Sequence, residues 1–540
     1  MADTKRETER KYEATGETRL PDLTEAAGVS AVEDRGVMEL DAVYYDTDDL
    51  RLAADSVTLR RRTGGDDAGW HLKLPVSPGV RDEIRAPLAA TVPDSLAALV
   101  RSRTRGDLLT PLMRLRSSRD VRHLVGARGE LLAEVSVDSV TAERVGAHGT
   151  TAHWTEIEVE LADGGDPAFL DAVEKRLRAA GLRPAAWASK LARGLADTQP
   201  SRPRKEPKRP KKAEKAKKAE KAKKAEKTKQ SNKAGKAEKA NQSVSAPTAG
   251  DHVLTYLRQQ YDVLVAHDPA VRRDLPDAVH QMRVATRRLR STFRTYRKVL
   301  DRTATDPIAG ELKWLARELG ADRDQEVLDQ RLRSRIAALP QPLVLGPAEA
   351  RLRIWSVPRH HASRHEVIAV LDSERYLDLL TALHALLADP PLLPAASRPA
   401  AKVLSKAVRK DHARLAALME RALALPPGED RDLALHNARK AAKRTRYAAD
   451  TAAPALGKPA ERLAKRVKAA QSLLGDHQDS VVARGALREL AVQAHAAGET
   501  AFTWGLLYGR EEAAAQARER ELPQVWAKAS RPKLRAAPGR

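Results

Sequence analysis

The sequence predicts two unlike folds in one chain, an α+β domain built on an antiparallel sheet followed by an all-α helical bundle that repeats itself internally. Three observations carry this. Up to about residue 200, apolar and polar residues alternate in short runs broken by Gly, Asp and Pro, the period of half-buried strands. Beyond residue 250, Gly becomes scarce and apolar residues recur at threes and fours, the period of helices packed on a common core. Between them lies a cationic low-complexity stretch in which KKAEKA occurs from Lys211 and again from Lys217. Residues 201–245 hold 18 Lys and Arg against 5 Glu, more than half of the excess positive charge of the whole chain. Such a composition cannot bury a core and reads as a semi-stiff linker. The expected organisation is therefore a sheet domain over 1–200, a Lys/Ala/Glu-rich disordered linker over 201–249, a helical domain over 250–525 and a basic tail over 526–540.

Composition narrows the functions open to the chain. Its 540 residues carry 96 Lys and Arg against 73 Asp and Glu, a formal charge of +23, so the expected partner is a polyanion. Only 3 Phe, 7 Trp and 9 Tyr are present, few for a protein that grips single strands by stacking bases. Nucleic acid remains a possible partner through the linker. The absence of cysteine excludes disulfides, thiolate metal sites and thiol nucleophiles, and leaves oxygen and imidazole as metal ligands. No run approaches the ~18 apolar residues of a membrane span, and the expectation is a cytoplasmic protein with no membrane partner.

In the first half, strands are expected at 42–45, 57–62, 70–74, 132–138 and 154–161, with helices near 21–27, 94–102, 167–180 and 185–196. Alternation puts Glu7, Glu9 and Lys11 on one face of a strand. The same parity joins Arg60 to Arg62, His71 to Lys73, Glu83 to Arg85, Arg114 to Arg116, Glu134 to Asp138, and Glu156 to Glu158 and Glu160. One such strand is an ordinary solvated face. Here acids gather on some strands and bases on others, so a sheet curled to bring these faces together encloses a tunnel with acidic and basic walls. Carboxylates there suit Mg²⁺ or Mn²⁺, and Arg and Lys suit phosphate oxygens.

These strands resemble a known family. ETERK at Glu7–Lys11 matches the ExExK signature of the CYTH domains, the triphosphate tunnel metalloenzymes, and is joined by YYDTDDLRL from Tyr44, LRRR from Leu59, WHLKLP from Trp70, EIRAPL from Glu83, EIEVEL from Glu156 and ASKLARGL from Ala188. The resemblance implies an eight-stranded antiparallel tunnel barrel that binds a triphosphate with divalent metal. By motif it implies Glu7, Glu9, Asp138, Glu156 and Glu158 on the metal side, with Glu160 beside them, and Lys11, Arg60, Arg62, Lys73, Arg116 and Lys190 on the phosphates. Strand register leaves the choice between Arg114 and Arg116 open. Glu7, Glu9 and Lys11 are also the candidate catalytic residues, with Lys11 either a general base, if neighbouring cations depress its pKa, or a phosphate-holding ammonium. No adenine pocket is evident, which favours inorganic triphosphate as substrate.

In the second half, His280, Arg283, Arg287, Arg290 and Arg294 fall on one helical stripe, the first four of them repeated later in the chain, with Met282, Ala285, Leu289, Phe293 and Tyr296 across from it. The stripe returns as His436, Arg439, Lys443 and Arg446, each 156 residues later. LGADRD from Leu319 likewise returns as LGDHQD from Leu474. An ordered pair of repeats at nearly one offset, 156 and 155 residues, predicts a pseudo-two-fold bundle. Two facing basic stripes make a groove suited to a chain of phosphates. This half resembles a CHAD domain, an α-helical fold with conserved histidines, which implies inorganic polyphosphate binding by these eight residues and a place at polyphosphate granules. LG-x-x-x-D is read as a pair of turns whose Asp324 and Asp479 cap or brace helices. His280 and His436 are either phosphate donors or residues packed between helices, and His361 with His365 reads as surface rather than as a zinc pair.

Overall fold

A computed structural model describes residues 3–26, 28–146, 150–199 and 246–531, which form two compact units. The linker expected at 201–249 lies, up to residue 245, outside the described residues.

In the first unit, β1 (Asp3–Ala14), β2 (Ala31–Asp46), β3 (Thr58–Thr63), β4 (Gly69–Ser77), β5 (Val80–Ala86), β6 (Thr110–Val125), β7 (Leu131–Arg144) and β8 (Thr151–Leu161) hydrogen-bond in the order β5-β4-β3-β2-β6-β7-β8-β1. β1 also pairs with β5, closing an eight-stranded antiparallel barrel, and a two-residue β9 (Arg183–Pro184) adds to β1. The register sets Lys11 opposite Glu158, Asp138 opposite Glu156, Arg119 opposite Asp138 and Lys73 opposite Glu83. Directly paired residues share a face, so the charged positions all look inward. The outward face is apolar. Tyr12, Val135, Ile157 and Val159 pack with Leu170, Val173 and Leu177 of α3 (Ala168–Ala179). On the other flank, Leu59, Trp70, Leu72 and Ile84 pack with Leu52 of α1 (Arg51–Ala54) and with Leu96, Leu99 and Val100 of α2 (Asp94–Thr104).

Two expected helices differ. No helix forms over the described residues of 21–27, which turn instead so that Leu23 and Ala26 join the α3 cluster, with Ala26 N donating to Leu23 O. The helix expected from 185 begins at Lys190, because Ser189 is extended and its hydroxyl accepts from Ala192 N as an N-cap; this is α4 (Lys190–Asp197).

The described residues of the second unit form nine α-helices: α5 (Ala249–Arg272), α6 (Ala278–Thr295), α7 (Arg302–Ala337), α8 (Ala348–Asp372), α9 (Glu374–Ala388), α10 (Ala400–Ala424), α11 (Glu429–Leu456), α12 (Lys458–Ala496) and α13 (Phe502–Ala529). The basic stripes lie on α6 and α11, each followed by a long helix of 36 or 39 residues. The apolar side of α6 (Met282, Ala285, Leu289, Phe293) and that of α11 (Leu435, Ala438, Ala442, Ala449) enter one core, to which α7 gives Leu312, Leu315 and Leu319 and α12 gives Leu463, Val467 and Leu474. The far ends of α7 and α12 reach a second core with Trp355 of α8 and Trp504 of α13. The LG-x-x-x-D segments are not turns: both lie inside α7 and α12, where glycine in a well-packed helix costs less than the packing returns. The boundary expected at 525 falls within α13, which continues to Ala529 and buries Trp526 and Ala529.

Candidate functional site

Inside the barrel, β1, β3, β4, β5, β6, β7 and β8 aim charge into a cavity of about 220 Å³. Lys5, Glu7, Glu9, Lys11, Arg60, Arg62, Lys73, Glu158, Glu160 and Lys190 line it. The charges are matched. Lys73 bonds Glu7 at 2.6 Å and stands 3.6 Å from Glu83. Lys11 lies between Glu9, at 3.1 Å, and Glu158. Lys190 meets Asp138 at 2.8 Å, Glu156 at 3.0 Å and Glu158 at 2.6 Å. Asp138 is 0 % exposed, so it stays ionised only through these partners.

Protonation follows from the pairing. Burial alone would lower the lysines, yet the carboxylates around them outweigh it and hold Lys11 and Lys190 above the usual lysine value. Lys11 is therefore an ammonium, the opposite of what a general base requires. Burial, with Arg60 and Arg119 adding repulsion, lowers Arg62 to about 9. His71, buried and bonded through Nδ1 to Glu83 at 2.9 Å, falls to about 4.

Of the carboxylates read as the metal side, Asp138, Glu156 and Glu158 converge, each offering an oxygen within 4.8 Å of the others. Glu156 Oε1 is buried and accepts no hydrogen bond, although Lys190 Nζ stands 3.0 Å away. An all-oxygen donor set is the kind a hard divalent cation takes. Glu7 and Glu9 line the same cavity apart from this trio, beside Lys73 and Lys11.

Arg116 is a correction. It is exposed on the outer face of β6, as is the parity of Arg114, which bonds Asp41. Arg119 enters the cavity instead, bonding Asp138 at 2.7 and 2.9 Å and Glu158 at 2.7 Å. The error has a physical cause: the inward parity of β6 begins with apolar Met113 and Leu115 and becomes polar only at Ser117 and Arg119, so charge alone chose the wrong face. Arg81 and Arg85 also line the cavity; the alternation of β5 through Glu83 carried that signal.

In the helical unit, His280, Arg283, Arg287 and Arg290 of α6 and His436, Arg439 and Lys443 of α11 line one groove of about 760 Å³, joined by Arg294, Arg323 and Arg331. Arg283 donates to Gly320 O at 3.1 Å and to Asp324 at 2.7 Å. A Cβ on Gly320 would stand 3.2 Å from that guanidinium, and one on Gly475 would stand 3.5 Å from that of Arg439, which faces Asp479 at 3.6 Å. The LG-x-x-x-D motif thus braces an arginine: the glycine admits its plane and the aspartate holds its edge. Arg446 is a second correction, since it leaves the groove for Asp450 one turn on, at 3.9 Å, and lies over the Tyr447 ring. Its counterpart Arg290 has Arg294 at that place, so no carboxylate draws it away. His436 Nδ1 bonds Gln478 at 2.7 Å. Burial, with neighbouring cations, lowers His280, His436 and, to about 7, Lys443.

A closed antiparallel barrel with a charge-lined interior and an oxygen-donor trio, joined to a duplicated bundle with a basic groove, defines a two-domain protein of the metal-dependent triphosphate-tunnel class. The chain belongs to the family of proteins that join a CYTH domain, matched over residues 5–194, to a CHAD domain, matched over 255–488. It is similar to an uncharacterised Mycobacterium tuberculosis protein, MT2285, at 37 % identity over 94 % of this chain and 92 % of that one. Solved structures similar to it include PptA from Streptomyces chartreusis, at 22 % identity and TM-score 0.45 over 52 % of this chain and all of that one. The CHAD domain from the plant Ricinus communis follows, at 27 % identity and TM-score 0.41, covering 52 % of this chain and 92 % of that one. Among the described residues no helix is long and apolar enough to cross a membrane.

Proposed function

We propose that the barrel hydrolyses inorganic triphosphate, or a related triphosphate, with Mg²⁺ or Mn²⁺, and that the helical domain binds inorganic polyphosphate in the cytoplasm, at polyphosphate granules where these form. The observation that carries the first part is the convergence of Asp138, Glu156 and Glu158, the last of which lines the barrel cavity, beside the cations Lys11, Arg60, Arg62, Lys73, Arg119 and Lys190 that line it too. Asp138, Glu156 and Glu158 would hold the metal, with Glu7 and Glu9 completing the acidic wall. The metal supplies charge neutralisation on the transferring phosphoryl and on the leaving oxygen. Arg60, Arg62, Lys73 and Arg119 hold the phosphate oxygens, and Lys11 and Lys190, kept protonated by their carboxylates, add fixed positive charge where negative charge gathers. No side chain need act as nucleophile, since positioning and charge suffice for this transfer.

For the helical domain, the supporting observation is a groove whose cations outnumber its two carboxylates, Asp324 and Asp479, and whose one aromatic side chain among the described residues is the buried Tyr447. That suits bare phosphates better than bases. The test is phosphate release by the full chain from triphosphate, ATP and long polyphosphate with each metal, together with polyphosphate binding in EDTA. Triphosphate should be turned over only with metal, and polyphosphate should bind without it. No turnover overturns the first part, and no metal-free binding overturns the second.

A further inference from the structure

Three helices of the second unit bring ligating side chains together outside both the barrel cavity and the basic groove. Asp432 in the first turn of α11, His477 on α12 and Glu519 on α13 each offer one atom within 4.8 Å of the others. His477 is 3 % exposed, and its Nε2 bonds Glu519 Oε1 at 3.1 Å while facing Asp432 Oδ1 at 3.3 Å. One ring nitrogen carries one proton at most, so it cannot serve both carboxylates well. A divalent ion there, with the imidazole proton moved to Nδ1, would serve all three, because donors about 2.0–2.2 Å from a metal stand roughly 3.0–3.5 Å from one another. The outer oxygens are held from behind. Arg484 donates to Asp432 Oδ2 at 3.2 Å, and Arg431 stands 3.0 Å from Glu519 Oε2. These contacts turn the inner oxygens toward the imidazole, the task that outer partners perform around a metal. Glu512 lies 3.6 Å from Arg484, so three acids stand against two arginines and the cluster keeps a negative excess. The first copy is built differently: where α12 has His477, α7 has Asp322, and the acid that precedes α6, Asp277, stands 3.5 Å from Arg323. Among the described residues no such trio forms there, and His361 with His365 on α8 gains no third ligand.

We propose that Asp432, His477 and Glu519 bind one divalent ion of the zinc class, separate from any in the barrel, and that this ion clamps α11, α12 and α13 behind the groove. One imidazole nitrogen with two carboxylate oxygens suits Zn²⁺ better than Mg²⁺, which prefers oxygen alone. Three protein ligands leave a fourth position for water. The trio does not line the groove, but its neighbours in the chain do. Gln478 follows His477 and bonds His436, which lies one turn beyond Asp432, and both border the groove. The ion thus fixes the two helices that carry these groove residues and is not itself a ligand for polyphosphate.

The test uses the full chain carrying Glu156→Gln and Glu158→Gln, which disables the barrel trio, stripped of metal by a chelator and then dialysed against low-micromolar free Zn²⁺. Elemental analysis should find one zinc per chain, and zinc should raise the Tm of that protein, since it binds the folded state. Co²⁺ in its place should show the visible absorption of a four-coordinate ion. Adding His477→Ala should abolish all three signals. Glu519→Gln, which keeps the size of the side chain, should weaken zinc at least tenfold in a protein that still melts cooperatively in EDTA. His361→Ala with His365→Ala should change none of them. No zinc uptake leaves the trio an ion-pair network only and overturns the site, as does zinc retained by both the His477 and Glu519 variants. Zinc lost with His361 and His365 instead places it on α8 and overturns the site too. One zinc bound through the trio with no rise in Tm overturns the clamp.

Discussion

The barrel cavity and the helical groove both gather cations, yet they handle charge in opposite ways. In the barrel, Asp138 is shared by Arg119 and Lys190, Glu7 by Lys73, and Glu9 and Glu158 by Lys11. In the groove, Arg287, Arg290 and Lys443 have no carboxylate within ion-pair distance among the described residues, and burial with mutual repulsion lowers all three. The first site is neutralised by its own residues and keeps its ammonium groups charged. The second holds unrelieved repulsion that an entering polyanion would remove. A β-barrel permits the first arrangement because antiparallel register sets an acid on one strand directly across from a base on the next. A helix face permits the second because one stripe repeats the same charge every turn.

The contrast is broken most severely at the acidic trio. Glu156→Gln with Glu158→Gln should lower triphosphate turnover about 10³-fold or more, since amides leave shape and remove the charge that would hold metal. Glu7→Gln with Glu9→Gln tests the other acidic wall, and the larger loss is expected for the trio; phosphate release beside a thermal melt measures both. In the groove, reversing Arg283, Arg287, Arg439 and Lys443 to glutamate should weaken polyphosphate binding roughly 10²–10³-fold, a charge effect that fades with salt, while triphosphate turnover stays within about twofold. Titrations at two ionic strengths check it.

Arg119 sharpens the comparison from the barrel side. Arg119→Ala leaves Asp138 buried with Lys190 alone, a change of the kind that costs about 3–5 kcal/mol when a buried pair loses one member. Turnover should fall about 10²-fold, as when one charge-stabilising donor is lost, while Arg116→Ala should stay within about twofold. A matched pair of kinetic assays decides between the two arginines.

The smallest effect is a pH dependence confined to the groove. Lys443 loses its proton in the free protein as pH rises through about 7, and a polyanion favours the charged form, so binding takes up a proton above that pH. Polyphosphate affinity should therefore weaken above pH 7, by at most about tenfold per pH unit for one proton, and Lys443→Arg should flatten the profile. The folded pKa lies below the unfolded one, so the same group makes the domain more stable as pH rises from about 7 toward the ordinary lysine range, and added polyphosphate should raise its Tm most at neutral pH. Melting curves across pH 6–9 read both signs.

Much of this was legible beforehand because it depends on period. Alternation placed Glu7, Glu9, Lys11, Arg60, Arg62, Lys73, Glu156 and Glu158 toward one interior, and a 156-residue offset paired His280 with His436 and Arg283 with Arg439. What failed did so where a neighbour overrode the period. The motif implies Arg116, with register leaving Arg114 open, whereas the inward parity of β6 passes through Met113 and Leu115, inward residues that meet a helix rather than solvent. Arg446 matched its repeat and still turned aside, drawn by Asp450.

The amino-acid sequence by itself determined the two fold classes, the inward face of most barrel strands and the duplicated stripes, because these follow from periods of two and 3.6 residues that no distant contact alters. Only the tertiary structure decided that the LG segments brace arginines, that Arg119 rather than Arg116 meets Asp138, and that Gly194 lets α4 pack closely on Met113 and Ala142. Each of these depends on a partner brought close by other elements: 37 residues away for Gly320 and Arg283, 19 for Asp138 and Arg119, and across the barrel wall for Gly194 and Met113. A local pattern says which way a side chain points, but the atom it meets is set by packing that the whole chain must complete.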